Sequence, residues 1–166
     1  MSDSLEQRVK RIEDRDQISE CVIRYAISLD TNDWDLFKET IADPIFIDFS
    51  EWSGMEPREW PSDEWADFAR DVLSGFDSIQ HISPNHVIEF RSDDEAVCRS
   101  YMYAQHLLRD APGGPFFLMR GSYTNVLRRR PGGWEIASMT QHFSWGEGNE
   151  DIFETSQERF KERTNA

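Results

Sequence analysis

Three of the chain's four histidines, His81, His86 and His106, fall between Ser78 and Leu108, and two of them follow a glutamine in mainly apolar or small-residue runs. An imidazole among such side chains must be hydrogen-bonded or put to use. From Val97 onward the residues alternate as in a strand, so Cys98, Ser100, Met102, Ala104, His106 and Leu108 share one face. Arg99, Tyr101, Tyr103 and Gln105 share the other. The reading is that His81 and His106 meet in one pocket with Asp30, on the concave side of a sheet. An aspartate beside a histidine does general-base chemistry, because the carboxylate fixes the ring's tautomer and stabilises the cation formed when the ring takes a proton. A second histidine can donate to a departing oxygen or stabilise charge on it. The bland alternative stays open: core histidines tied to backbone carbonyls, and an aspartate that caps a turn.

The elements that must position these residues follow from periodicity. Residues 4 to 30 read as a helix with Leu5, Val9, Ile12, Ile18, Val22, Tyr25 and Leu29 on its stripe. Asp30 ends it, where the negative end of the helix dipole repels an anion, so its carboxylate needs a hydrogen-bond donor. Thr31-Asn32-Asp33 offers caps for a short second helix carrying Trp34, Phe37 and Ile41 inward and stopped by Pro44. Ile45 to Phe49 reads as a strand, Glu51 to Pro61 as a covering loop, and Trp65 to Leu73 as an amphipathic helix ending at Gly75. Long strands follow: Ser78 to Phe90 interrupted at Pro84, Ala96 to Arg109, Phe116 to Arg130, and Trp134 to Trp145, joined by turn residues and so antiparallel. A polar helix from Asn149 to Arg163 is expected to pack across an edge or on a second subunit. Helices first and a meander after predict an α+β fold with a bent sheet around the helices.

Composition narrows the function. At 166 residues the chain fits one domain, large enough to enclose a pocket. Its net charge of −14 argues against nucleic acid and anionic lipid, and Arg128-Arg129-Arg130 precedes a Pro-Gly-Gly turn. No apolar run approaches the ~18 residues of a membrane span, and the N-terminus has no leader pattern, so a cytoplasmic protein is predicted. Cys21 and Cys98 read as reduced thiols. Two histidines and an aspartate match the count of an iron triad, but no His-x-Asp or His-x-Glu pair lies on one strand, so a metal-free site is expected. Six tryptophans and eleven phenylalanines suit an aromatic cavity. Phe49, Trp52, Trp60, Met119 and Phe143 are the candidate apolar lining, with plain core packing as the alternative.

The series Tyr25-Ala26, Leu29-Asp30-Thr31-Asn32-Asp33-Trp34-Asp35, Gln80-His81, His106, Gly133-Trp134, Trp145-Gly146-Glu147 and Ile152-Phe153 resembles scytalone dehydratase and, more broadly, the SnoaL-like branch of the nuclear transport factor 2-like superfamily. The resemblance implies a cone-shaped α+β barrel with one deep pocket, often a dimer or trimer. It also implies a cofactor-free lyase, isomerase or cyclase acting on a small hydrophobic, cyclic carbonyl or polyketide-like compound. In such dehydratases the matching residues serve water elimination, and related dehydrochlorinases remove a proton with an equivalent Asp-His pair; Asp30, His81 and His106 would take those parts here. The pattern departs at Leu29 and Phe49, where the family's dehydratases carry tyrosines, and at Gly121 and Tyr123, where they carry a serine and an asparagine. Tyr25, Tyr123 or Tyr103 would have to supply a replacement phenol. A binding module without catalysis is the third reading, since fold does not fix function.

Overall fold

The computed structural model describes residues 4–165. Helix α1 spans Leu5–Thr31, opened by a capping box in which the Ser4 hydroxyl accepts from the Gln7 N–H and the Gln7 side chain accepts from the Ser4 N–H. Asn32 closes it in the left-handed conformation, and Asp33 caps α2 (Trp34–Thr40) by accepting from Leu36 N at 3.0 Å. The elements that follow are β1 (Ile41–Asp48), α3 (Ser50–Ser53), β2 (Arg58–Trp60), α4 (Ser62–Leu73), β3 (Ser78–Ile82), β4 (Val87–Phe90), β5 (Glu95–Leu107), β6 (Phe116–Arg130), β7 (Gly133–Gly148) and α5 (Ile152–Thr164).

Seven strands form one curved, unclosed sheet in the order β2-β1-β7-β6-β5-β3, with β4 on the same flank of β5 as β3. This is the expected α+β cone with its helices gathered inside the curve. The meander strands pair antiparallel, while β1 runs parallel to β7. Pro44 lies within β1, at an irregularity between Ile41 and Phe46, and does not end the preceding helix; Ile41 is already strand. The expected covering loop from Glu51 to Pro61 is also partly regular, since it holds α3 and pairs β2 with β1.

The inner stripe of α1 differs from the apolar pattern in its first turns. Ile18, Cys21, Val22, Tyr25 and Leu29 are buried, but Leu5, Val9 and Ile12 are exposed. Continuing the buried spacing backwards gives Asp14, Lys10, Arg11 and Gln7, and this polar side is the one that meets the sheet. Arg11 stacks over Phe90 at 4.1 Å, and Asp14 is clasped by Arg129, Lys10 and Trp134. Ion pairs and a cation–π contact override hydrophobic periodicity there.

Helix α4 stops at Leu73, with Ser74 still right-handed, so Gly75 is not a left-handed cap. It is glycine because the backbone of α5 passes directly over it: a Cβ would run into the carbonyl of Ser156. Gly75→Ala is expected to push α5 outward and cost ~1–3 kcal/mol, measured as a lowered denaturation midpoint.

Candidate active site

Strand alternation builds the site. On β3, Ile79 and His81 turn inward, and on β5 Ala104 and His106 do the same; His81 is paired with Ala104 and Ile79 with His106. The two imidazoles are therefore diagonal neighbours on one face, with ring centres 5.7 Å apart and planes at 88°. Helix α1 ends beside the open edge of β3. There the Asp30 carboxylate receives the main-chain N–H of His81 at 2.9 Å on each oxygen, and ring Nδ1 at 2.8 Å. The donor demanded by an aspartate at a helix C-terminus is thus supplied twice by one residue. A carboxylate only accepts, so Nδ1 carries a proton, and in the neutral ring Nε2 of His81 is the nitrogen left with a lone pair.

His106 is in a different state. It is 2% exposed, its Nδ1 has no partner, and Phe76 and Phe153 pack on its ring at 5.1 and 4.6 Å. Burial drives its pKa down to about 3, with nearby His81 adding to the effect and the Phe117 backbone opposing it. His106 is a neutral imidazole that can offer an N–H, not a stored cationic acid. This state has a consequence for stability. The unfolded chain takes up the His106 proton near 6.5 and the folded form resists it down to about 3, so the unfolded state binds more protons in that window. Stability then falls as pH drops through it, with a slope approaching ~1.4 kcal/mol per pH unit. His106→Gln is expected to flatten this slope in denaturant titrations run across the window.

Both histidines open into one chamber lined mainly by apolar side chains. Of the residues anticipated as lining, Tyr25, Phe49, Trp52, Met119 and Tyr123 are there. Phe143 is not. It keeps the register of Gln141, standing opposite Gly121, and the extra residue of β7, Ser144, comes only after it, before Trp145 opposite Arg120. Phe143 packs at the margin of the core, its N–H held by Glu51 of α3 at 2.9 Å. Trp60 also lies outside the chamber, against Trp65 and Phe68 and under Arg58. Tyr103, an alternative phenol, faces the outer side with Arg120 over its ring.

Sequence reading missed the inner face of α4 as a wall of the chamber, from Trp65 to Leu73, and also Phe153 and Gln141. Phe153 belongs to α5, which was expected only to pack, yet it closes the chamber against Trp52 and His106. Gln141 is 5% exposed and donates from Nε2 to the Tyr123 hydroxyl at 3.3 Å. Its inward position follows from alternation with Met139, a signal that could have found it. The two remaining histidines stand apart: His142 bonds Thr124 and Glu51, while His86 has a buried, unpartnered Nε2 in a groove beside α1. Among the described residues no three His, Cys, Asp or Glu side chains converge to hold a metal ion, and no helix is long and apolar enough to cross a membrane.

Comparison with known proteins matches the model of the SnoaL-like domain to residues 10–140. A protein named dehydratase from Pestalotiopsis microspora is 28% identical over 138 residues, covering 78% of this chain and 86% of that one. The crystal structure of the Kfla4162 protein from Kribbella flavida superposes with a TM-score of 0.77 at 29% identity, over 82% of this chain and 95% of its own. A structure from Novosphingobium aromaticivorans, provisionally named scytalone dehydratase, shares the fold with a TM-score of 0.76 at 16% identity, over 86% and 92% of the two chains.

Proposed function

The chain belongs to the SnoaL-like domain family, and from that premise we propose that it is a lyase of the dehydratase type. Its substrate would be a hydrophobic cyclic β-hydroxy carbonyl compound. The observation that carries this reading is the double clasp of Asp30 on His81, which holds a base with a free Nε2 at the wall of an apolar chamber. The dehydratase name of the Pestalotiopsis microspora relative supports the reaction class.

In this mechanism Nε2 of His81 takes the acidic proton from the carbon next to the carbonyl. The electron pair of that C–H bond passes into an enolate, and the Asp30 carboxylate stabilises the imidazolium that results. Collapse of the enolate forms the C=C bond and breaks the bond to the β-hydroxyl. The imidazolium returns the proton to that leaving oxygen, so water departs and His81 ends neutral. His106 donates its N–H to the oxygen bearing the developing charge, a role suited to a neutral ring in a dry site. The apolar walls strengthen both interactions by excluding water.

The test uses a panel of cyclic β-hydroxy ketones, hydroxylated tetralones among them, in deuterated water. Exchange of the proton next to the carbonyl, followed by NMR, reads the first half of the reaction. Growth of enone absorbance reads the second. The reading stands if both run on at least one compound and fail in His81→Ala. Exchange no faster than in His81→Ala across the panel would sink it.

A further inference from the structure

The chamber has a second polar end that the mechanism does not use. Tyr123 of β6 and Gln141 of β7 are directly paired across the sheet, and both are more than nine-tenths buried. On the β5 side Tyr123 is opposite Ser100, whereas Phe117, six residues back along β6, is opposite His106. The pair is thus separated along the sheet from the histidine rows. Its hydrogen bonds are incomplete. Gln141 Nε2 is spent on the Tyr123 hydroxyl at 3.3 Å and on Met102 Sδ at 3.4 Å, leaving Oε1 buried without a partner. The Tyr123 hydroxyl accepts from Gln141, so its own hydrogen has no acceptor. Turning the amide over does not complete the set: Tyr123 would then donate to Oε1, and both hydrogens of Nε2 would be left free. Nearby in the same wall, the buried indole N–H of Trp65 lies toward the Tyr25 hydroxyl without a bond of good geometry.

A wall of this kind costs free energy when empty and regains it when a ligand oxygen supplies the missing partners. An idle donor, the Tyr123 O–H, stands beside an idle acceptor, Gln141 Oε1, so the matching group is a hydroxyl, which accepts from the one and donates to the other; with the amide turned over a carbonyl oxygen also fits. Phe49 packs against Tyr123 at 6.3 Å and fixes the ring from the side, so the phenol is held in place for that contact. Burial raises the Tyr123 phenol to about 12, with Gln141 opposing, which keeps its proton on and preserves the donor.

We infer that Tyr123 and Gln141 form a specificity subsite that holds a second oxygen of the substrate, remote from the bond broken at His81. The substrate is then a hydrophobic compound that carries oxygen at two separated positions. This rests on the reading of the chamber as a substrate site but not on the elimination step itself.

The probes are 2-naphthol and 2-methylnaphthalene, which differ by a hydroxyl against a methyl of similar size. Titration by fluorescence or calorimetry is expected to show wild-type protein preferring 2-naphthol about 10-fold or more, as one buried hydrogen bond supplies. Tyr123→Phe should abolish most of that preference. Gln141→Leu, which removes the amide beside the phenol, should reduce it by weakening 2-naphthol while leaving 2-methylnaphthalene within about 2-fold, a split that a merely loosened wall would not produce. His81→Ala should leave the preference within about 2-fold while removing proton exchange. Equal binding of both probes by wild type, no saturable binding of either, or loss of the preference only in His81→Ala would each overturn the inference. The wild-type comparison holds even if a variant fails to fold. Absence of exchange with the naphthol preference intact would instead overturn the elimination reading alone.

Discussion

His81→Ala is expected to lower elimination turnover by roughly 10³-fold, within the range that a positioned general base contributes. Melting temperature should change little, because the ring lies at the chamber wall and its removal leaves the β3–β5 pairing in place. Asp30→Asn should have an effect of similar size by a different route. In the native arrangement one carboxylate accepts both the main-chain N–H and the Nδ1–H of His81. Asparagine has one accepting oxygen, and the main-chain N–H can claim it. Its NH₂ then faces Nδ1 and draws the ring into the other tautomer, with the proton on Nε2 and no base toward the chamber. The measurement is kcat on an active panel compound, with the tautomer read from ring nitrogen chemical shifts. A variant with a native tautomer and full activity would refute this part.

The largest loss of stability is expected from Asp14→Ala. Asp14 is 5% exposed and accepts from Arg129 at 2.8 Å, Lys10 at 3.1 Å and the buried indole of Trp134 at 3.2 Å. Arg129 in turn binds the Asp93 carbonyl and the Asp94 carboxylate in the β4–β5 turn, and lies over Trp134 at 4.5 Å. The network fastens the start of α1 to two hairpin turns. Removing the carboxylate leaves the buried indole N–H of Trp134 without its acceptor and Arg129 with only Asp93 and Asp94 as polar partners, a change of ~2–4 kcal/mol. For a chain of this size that is a fall of ~10 °C in Tm. Burial pushes the Asp14 carboxyl up, but hydrogen bonds from Arg129, Lys10 and Trp134 outweigh it and bring it to about 2 against a usual 3.8. Its contribution is present above 3.8 and is lost as pH falls through that value toward 2. The His106 effect begins at higher pH, so acid titrations of Asp14→Ala and His106→Gln separate the two.

The convergence of Asp30, His81 and His106 could be read in the sequence because it depends on two short-period facts. An aspartate at a helix end needs donors, and alternation on two adjoining strands puts two histidines on one face. The parallel pairing of β1 with β7 could not be read, because it joins segments about ninety residues apart whose local patterns are the same for either direction. Phe143 keeps the register of Gln141 and was misplaced because alternation gives a face and not a depth along the strand: two residues beyond Gln141 it has passed the chamber wall, where Glu51 holds its N–H. Asp14 was hidden by its type. It falls four residues before Ile18, on the buried spacing, but a charged residue in a charged helix segment gives no sign of burial until its partners arrive from 115 and 120 residues away.

The clasp of Asp30 on His81 also bears on how the protein would fail when warmed. One bond holds the edge strand and the other holds the ring, and both end on the same carboxylate at the close of α1. A fluctuation that peels β3 from the helix removes the base from its working position, although the other six strands keep their pairing. Heat inactivation should therefore run ahead of the loss of circular dichroism. A single amide hydrogen, that of His81, would time it: its exchange with deuterium counts the openings that turn the catalyst off.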